Sequence, residues 1–466
     1  MLKASVIQEL SNEDWARFEF EHTVLGDQRL SKRLISIADD FARRPAASIP
    51  KACVDAARVK GAYRFFEHDE VSEHELLAGH RQRTLERLRQ EPLVLAVQDT
   101  TTLDYGTHEH TEGLGPTTND TVGRGRGMFL HSTLAFTPAK LPLGLIHTRM
   151  WARDPAHYGD NSKRNSKPLE EKESYKWLES FQATEQLAGA LPATRVVNVA
   201  DREGDVYEVF AAALKSAQVA VLIRAQHNRQ IVSTSQLLLW EHMAAHPVAA
   251  TLTIDIPRRH GVPARQARCQ VRFGVAPLQA PLLKKEQPSL HNVWFIEIRE
   301  VDTSSAKPIL WRLLTTLPVT TLEEAMEKVG WYLVRWQIEV FHRTLKTGCA
   351  VEALQLDHVE KLKRALALKM VVAWRIMLLA YCSRDQSDMP ASVLLAAEEI
   401  AVLQAMALTN QPTDRLTLRQ AVRAIAGLGG FLGRKRDGEP GVITLWRGMQ
   451  RLIDMTAAVT AFKKCG

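Results

Sequence analysis

The sequence predicts a mixed α/β protein with helical segments at both ends, on three observations. In the middle of the chain, short runs of Val, Leu, Ile and Ala alternate with helical stretches. Further on, strand-like runs alternate apolar and polar residues around turn-rich linkers, the pattern of a β-hairpin. The flanking segments carry apolar residues at three- and four-residue spacing. At 466 residues the chain exceeds one typical core, so two or three domains are expected.

The elements follow in order. "GDQRLSKRLISIADDFARR" (26–44) spaces Leu30, Leu34, Ile37 and Phe41 as an amphipathic helix that Pro45 and Pro50 close. "ACVDAARVKGAYRFFEH" (52–68) supplies a second helix, and basic residues outnumber acids across the pair. Such a surface is as readily a solvated face as a polyanion reader. "LVLAVQDT" (93–100) is an apolar run ending on Asp99, and "FLHSTLAFTP" (129–138) and "LGLIHTRMWA" (143–152) read as two more strands. A polar helix covers about 167–190. "TRVVNVADREGD" (194–205) is a buried-type strand ending on Asp201, followed by a helix and the strand "VAVLIR" (219–224). "TLTIDIP" and "ARCQVRF" flank the basic turn "RRHGVPARQ", and "VWFIEIREV" and "ILWRLLTT" repeat the pattern more loosely, which reads as an all-β insertion. The remainder is helical, broken at "TNQPTD" and "GRKRDGEPG". The expected division is a helical domain over 1–70, an α/β domain over 71–385 with the β insertion at about 225–325, and a helical domain over 386–466.

Bulk composition narrows the class. Hydrophobic residues make up 45% of the chain, as in ordinary soluble proteins, and a formal charge of +7 mildly favours a polyanionic partner. Five scattered cysteines with no C-x-x-C pair argue for a reducing compartment and against a disulfide framework or structural zinc. "MLKASVIQELSNEDW" has no apolar run of signal-peptide length. "MVVAWRIMLLAY" (370–381) is too short for a membrane span and contains Arg375. A cytoplasmic protein with access to a bacterial nucleoid is expected.

Asp99 and Asp201 each end a strand of small apolar residues, where side chains are rigidly held yet reach solvent. Taken singly, each is as readily a turn former or a helix cap. Two such carboxylates side by side repel unless a cation lies between them. A third acid, Glu339, lies in "YLVRWQIEVFHRTLKTG" (332–348) among Tyr332, Arg335, His342, Arg343 and Lys346. At about 100° per residue, these groups share one side of a helix with Trp336, and Leu333, Val334, Ile338, Val340, Phe341 and Leu345 fill the other. On periodicity alone this is also an ordinary amphipathic surface helix. The His pair in "HEH" (108–110) lacks further metal ligands, and "GRGRG" (123–127) lacks the ending of a nucleotide loop.

Tyr332, Arg335, Glu339 and Lys346 reproduce the spacing Y-x2-R-x3-E-x6-K. With Asp99 and Asp201 in their strand-end contexts, the chain resembles the DDE transposases of insertion-sequence family four. "LGDQRLSKRL", "GAYRFF", "QDTTTLDY", "VADREGDVYEVF", "RWQIEVFHRTLKTG" and "GLGGFLGRKR" carry the likeness in the same order. The resemblance implies an RNase H-like catalytic domain with a β-rich insertion, between an N-terminal domain that binds DNA ends and a C-terminal dimerisation domain. It implies that Asp99, Asp201 and Glu339 hold Mg²⁺, with Mn²⁺ as a substitute. Tyr332, Arg335 and Lys346 would grip phosphates beside the scissile bond, Arg224 would contact DNA, and Trp311 would stack on an extruded base. The implied partners are double-stranded transposon ends, target DNA and a second copy of the chain, with no membrane. The implied reaction is nicking, hairpin formation, hairpin opening and joining of the 3′ ends. Where the family carries Arg-x-Lys-His, this chain reads "RAQH", so Gln226 lacks a charge, and whether the nearby Arg229 replaces it is open in the sequence. A nuclease of the same fold that does not join strands, or a DNA-binding regulator with an idle site, would carry many of the same residues.

Overall fold

The computed structural model describes residues 15–53, 55–118, 125–155, 167–233, 237–256, 264–281, 287–301, 308–385, 389–393, 395–406, 415–434 and 438–465. The "TNQPTD" break, residues 1–14 of the N-terminus and most of the linker "RRHGVPARQ" lie outside them.

Ten strands form one sheet. They are Leu93–Asp104 (β1), Gly115–Pro116 (β2), Arg126–Phe136 (β3), Pro142–Trp151 (β4), Arg195–Ala200 (β5), Val219–Arg224 (β6), Ala250–Ile256 (β7), Arg265–Val275 (β8), Trp294–Glu300 (β9) and Leu310–Thr315 (β10). The heart of the sheet runs β4-β3-β1-β5-β6. β3 is antiparallel to β1 and β4, while β1, β5 and β6 are mutually parallel. Three antiparallel strands followed by two parallel ones are the RNase H-like layout. The parallel strands are buried on both faces, from Val94 to Val97 and from Val196 to Ala200, which is why they read as continuous apolar runs.

The β insertion is an extension of this sheet. β10 pairs antiparallel with β6, and β9, β8 and β7 follow outward. Along β8, Ala267, Cys269 and Val271 are buried, while Gln266 and Arg268 at the alternate positions are exposed. One covered face and one wet face produce the two-residue alternation seen in the sequence.

The N-terminal helices are Trp15–Phe20 (α1), Gln28–Arg43 (α2), Ile49–Ala52 (α3), Ala56–Glu67 (α4), Glu73–Leu76 (α5) and Ala78–Leu88 (α6). Asp27 and Asp55 cap α2 and α4 by accepting the amides of Arg29 and Arg58. Leu34, Ile37 and Phe41 are buried as their spacing predicts. The opposite faces leave a cleft of about 380 Å³ between α2 and α4, lined by Arg29, Arg33, Lys60, Arg64 and His68 together with Leu30, Ala57, Gly61 and Phe65. Gly61 leaves room for the Arg33 guanidinium to cross the helix.

Later come Tyr175–Ala188 (α7), Tyr207–Lys215 (α8), Leu239–Ala245 (α9), Leu322–Val334 (α10), Trp336–Arg343 (α11), Val359–Asp385 (α12), Ala397–Ala405 (α13), Leu418–Leu428 (α14) and Val442–Cys465 (α15). The apolar stretch at 370–381 proves to be part of α12, whose segment Val359–Cys382 is long and apolar enough to cross a membrane. It is instead mostly buried as the spine of the protein. Lys369 on α12 donates to the carbonyls of Pro45 (2.6 Å) and Ala47 (3.3 Å), and Arg364 donates to that of Phe66 (2.6 Å). Trp374 Nε1 donates to Pro142 O (3.1 Å) at the start of β4. One helix therefore holds the N-terminal helices against the sheet.

At the C-terminus α14 and α15 touch through their backbones. A Cβ on Gly429 would lie 1.9 Å from Thr444 O, and one on Gly448 would lie 1.7 Å from Ile425 O. Neither carbonyl can yield as a flexible side chain would. Gly448→Ala is therefore expected to separate the two helices at a cost of about 1–3 kcal/mol, read as lost protease resistance of the C-terminal region with the sheet domain intact.

Candidate active site

The chain around 332–348 is not the single helix that the periodicity suggests. α10 ends at Val334, Arg335 forms the joint, α11 follows, and one wider π turn covers Thr344–Gly348. Arg335 N–H bonds back to Tyr332 O and Arg335 O accepts from Ile338, both at three-residue reach. The kink changes which side is buried. Tyr332, expected on the ionic face, is buried, and Leu333, expected inside, is 49% exposed. His342 also departs from the wheel. It is buried, and its Nε2 bonds Ser132 Oγ on β3 at 2.7 Å. Burial and the nearby Lys346 charge push its pKa down to about 3, so the ring is neutral. This bond fixes α11 against the strand that pairs with β1, where Ser132 lies opposite Asp99.

Asp99 is not at the end of its strand. β1 continues to Asp104 alongside β3, but its parallel pairing with β5 stops at Val97. Asp99 lies just past that point, where one neighbour has fallen away. Asp201 directly follows β5, and its Oδ1 accepts the amide of Glu203 (2.8 Å), capping a 3₁₀ turn. The capping role considered for it is real, and it coexists with a place beside Asp99.

Arg335 joins two of the acids. Its Nη2 donates to Glu339 Oε1 (2.6 Å) and its Nη1 reaches Asp99 Oδ2 (3.5 Å). Asp201 joins through its field. Burial, then the charge of Asp201, raise the Asp99 pKa to about 7, with Glu339 adding to them and the Thr100 amide and Arg335 opposing. Three acids from β1, the β5 terminus and α11 thus share one electrostatic cluster. Among the described residues no three His, Cys, Asp or Glu side chains are gathered closely enough to hold a metal ion as they stand. A guanidinium serves as the local counter-charge.

Around this cluster lie most of the other residues singled out in the sequence. Tyr332 feels Arg335, Arg224 and Asp201, although burial dominates in raising its pKa. Trp311 meets the Tyr332 ring edge-on at 6.1 Å. Arg224, at the end of β6, donates to Leu310 O (3.0 Å). Arg229 does not stand in for the missing lysine: its Nη2 is held by Asp205 Oδ1 and O, both at 2.6 Å. Asp205 also accepts the amides of Gln226 (2.7 Å) and His227 (2.9 Å), so a buried carboxylate sets the "RAQH" loop. Lys346 stands apart, paired with Glu352 Oε1 at 3.4 Å.

Two neighbours received no role from the sequence. Lys176 on α7 is buried over the indoles of Trp151 (5.5 Å) and Trp177 (5.7 Å) and feels the charges of Glu203 and Asp99. Trp336 is 48% exposed beside Arg335 and Glu339. An exposed indole on an otherwise ionic helix face was a visible signal. Nothing in the local sequence marked Lys176, because its neighbours come from other strands.

A helical domain with a basic cleft, an RNase H-like sheet with clustered acids, and a helical C-terminus are the parts expected of a DNA transposase. Comparison with known families agrees at both ends: residues 12–71 match a domain described as Transposase DNA-binding, and residues 371–462 match the Transposase Tn5 dimerisation domain. Both matched descriptions are of transposase domains, the second that of Tn5, and together they support a Tn5-like transposase of insertion-sequence family four. The dimerisation match begins within α12, ahead of the expected boundary at 386. A cryo-EM structure of the piggyBac transposase synaptic complex with hairpin DNA aligns over 97% of this chain and 85% of that one, at 8% identity and a TM-score of 0.37, too loosely to carry an argument.

Proposed function

We propose that the chain is a cut-and-paste transposase that binds transposon ends as a homodimer, cleaves them through a DNA hairpin, and joins the 3′ ends to target DNA. The observation that carries this reading is that Arg335 bridges Asp99 and Glu339 while the charge of Asp201 acts on Asp99. Three carboxyl groups stand near one cation, and Asp99, its pKa raised by burial first and then by the charge of Asp201, feels the crowding of acids. Hard oxygen donors with that balance suit a divalent cation such as Mg²⁺ or Mn²⁺. Asp99, Asp201 and Glu339 would hold it, which requires Arg335 to release at least one carboxylate. When bound, the ion would supply activation of the attacking oxygen and stabilisation of the leaving one.

The chain's own residues supply the rest. Arg335, released from the acids, would turn to a phosphate flanking the scissile bond, with Tyr332 donating its hydroxyl and Arg224 contributing charge from β6. Trp311, partly buried against Tyr332, offers its free face to a base driven out of the stack at the hairpin. The α2–α4 cleft, with five basic side chains and apolar Leu30 and Phe65, would read the transposon end. A cytoplasmic site at the nucleoid follows from such a substrate.

The test is incubation with Mg²⁺ and labelled DNA bearing the element's own terminal repeats. Nicked, hairpin and joined products are expected in turn, and none with chelator. Cleavage without hairpins would favour a nuclease that does not join strands, and binding without cleavage would favour an idle regulator. Trp311→Ala is expected to slow hairpin formation about ten- to a hundredfold, the worth of one stacked base, with nicking at the normal rate in the same gel.

A further inference from the structure

Lys346 is delivered by an unusual piece of backbone. It lies in the π turn Thr344–Gly348, closed by the Cys349 amide bonding to Thr344 O at 2.9 Å. Two residues beyond that turn's end, Ala350 takes left-handed backbone angles (φ 46°, ψ 42°), one of two described non-glycine residues with positive φ. Wide π turns and left-handed non-glycine residues both carry a conformational cost and persist where the surroundings impose them. Here they fold the chain back so that Glu352 faces Lys346 from the following 3₁₀ turn.

Glu352 Oε1 holds two partners: Lys346 Nζ at 3.4 Å and the amide of Asp104 at 2.9 Å, at the far end of β1 from which Asp99 also projects. Tyr105, next in the chain, donates its hydroxyl to Val351 O at 3.1 Å and pins the same turn from below. Lys346 and Glu352 are each about one-third exposed on their side chains, so the pair reaches solvent.

We propose that Glu352 is a positioning residue: its carboxylate, anchored on the β1 backbone, aims the Lys346 ammonium at the phosphate. This rests on the reading of Lys346 as a phosphate contact. A lysine has a flexible four-carbon stem and three donors, so one carboxylate fixes its direction and leaves donors for a phosphate oxygen. Losing the carboxylate removes a repulsive charge from the DNA path, so ground-state binding does not weaken. It also lets the ammonium wander, so the cleavage step slows.

The experiment uses full-length protein, end DNA and Mg²⁺, with single-turnover cleavage and gel-shift affinity measured for Lys346→Ala, Glu352→Gln and the double variant. Glutamine keeps an acceptor for the Asp104 amide, and a melting curve checks the fold. Lys346→Ala is expected to lose both rate and affinity. Glu352→Gln is expected to lose about tenfold in rate with affinity equal or tighter, and the double variant to be no slower than Lys346→Ala, the non-additivity of residues acting as one unit. A silent Lys346→Ala would end the phosphate reading and this proposal with it. An impaired Lys346→Ala beside a wild-type Glu352→Gln, or losses that multiply in the double variant, would leave Lys346 its role and overturn the proposal. So would a Glu352→Gln that loses affinity and melting temperature together.

Discussion

Asp201→Ala or Glu339→Ala is expected to abolish strand cleavage while binding to transposon ends survives. Each substitution removes one of three acids that share a cluster, so the site loses a proposed ligand and the charge that would draw in a divalent ion. The expected fall is about a thousandfold or more, the several kcal/mol that such an ion contributes to phosphoryl displacement. Binding survives because the proposed end reader, the cleft between α2 and α4, is built from a separate part of the chain. Glu339→Ala also frees Arg335 from its 2.6 Å partner, leaving it with Asp99 as a carboxylate neighbour among the described residues. A gel shift and a cleavage gel on the same preparation check this. Undiminished cutting by either variant would remove these acids from the chemistry.

Glu19→Gln is the second large effect, and it acts on stability. Glu19 on α1 is buried between Arg87 and His80 of α6, and Arg87 Nη2 donates to it at 2.6 Å. Arg87 also donates to Leu143 O (3.2 Å) and lies over the Trp374 ring (4.4 Å). His80 Nε2 accepts the Leu145 amide (2.9 Å), so its proton is on Nδ1, facing Glu19. This network joins the first helix to β4 and to the spine helix. Removing this buried negative charge breaks a buried ion pair, at a cost of about 3–5 kcal/mol. Urea unfolding of the full chain measures it.

The same network sets a pH dependence. Burial alone would raise the Glu19 pKa, but the charges and hydrogen bonds of Arg87 and His80 outweigh it and lower the pKa to about 2. Its stabilisation is therefore complete above the usual carboxylate range, near 4.5, and is lost as pH falls towards 2. His80 acts in the same direction from a higher starting point. Burial lowers its pKa from 6.5, so below that value the unfolded chain takes up a proton that the folded chain refuses. Stability is expected to decline from about pH 6.5 downward, and Glu19→Gln to flatten the part of the curve below about 4.5. Unfolding midpoints across that range supply the check.

The strands were legible because burial on both faces leaves continuous apolar runs and burial on one face leaves alternation. "VAVLIR" coincides with β6, and the four insertion strands fall where the alternation lies. Asp27 and Asp55 cap their own helices, a local role that the sequence reading did not assign. The helical wheel of 332–348 failed where tertiary forces intervened. A kink at Arg335 rotated Tyr332 inward and Leu333 outward, and a hydrogen bond to Ser132, 210 residues away in sequence, drew His342 into the core.

The sequence alone determined the order of elements, the basic character of the first helices and the three acids worth watching, because periodicity, charge and turn chemistry are local. Only the tertiary structure decided that Arg335 bridges Asp99 and Glu339, that Asp205 claims Arg229, and that Lys346 faces Glu352. The reason is electrostatic. A cation binds whichever carboxylate the fold brings nearest, and strand order and backbone turns set that distance.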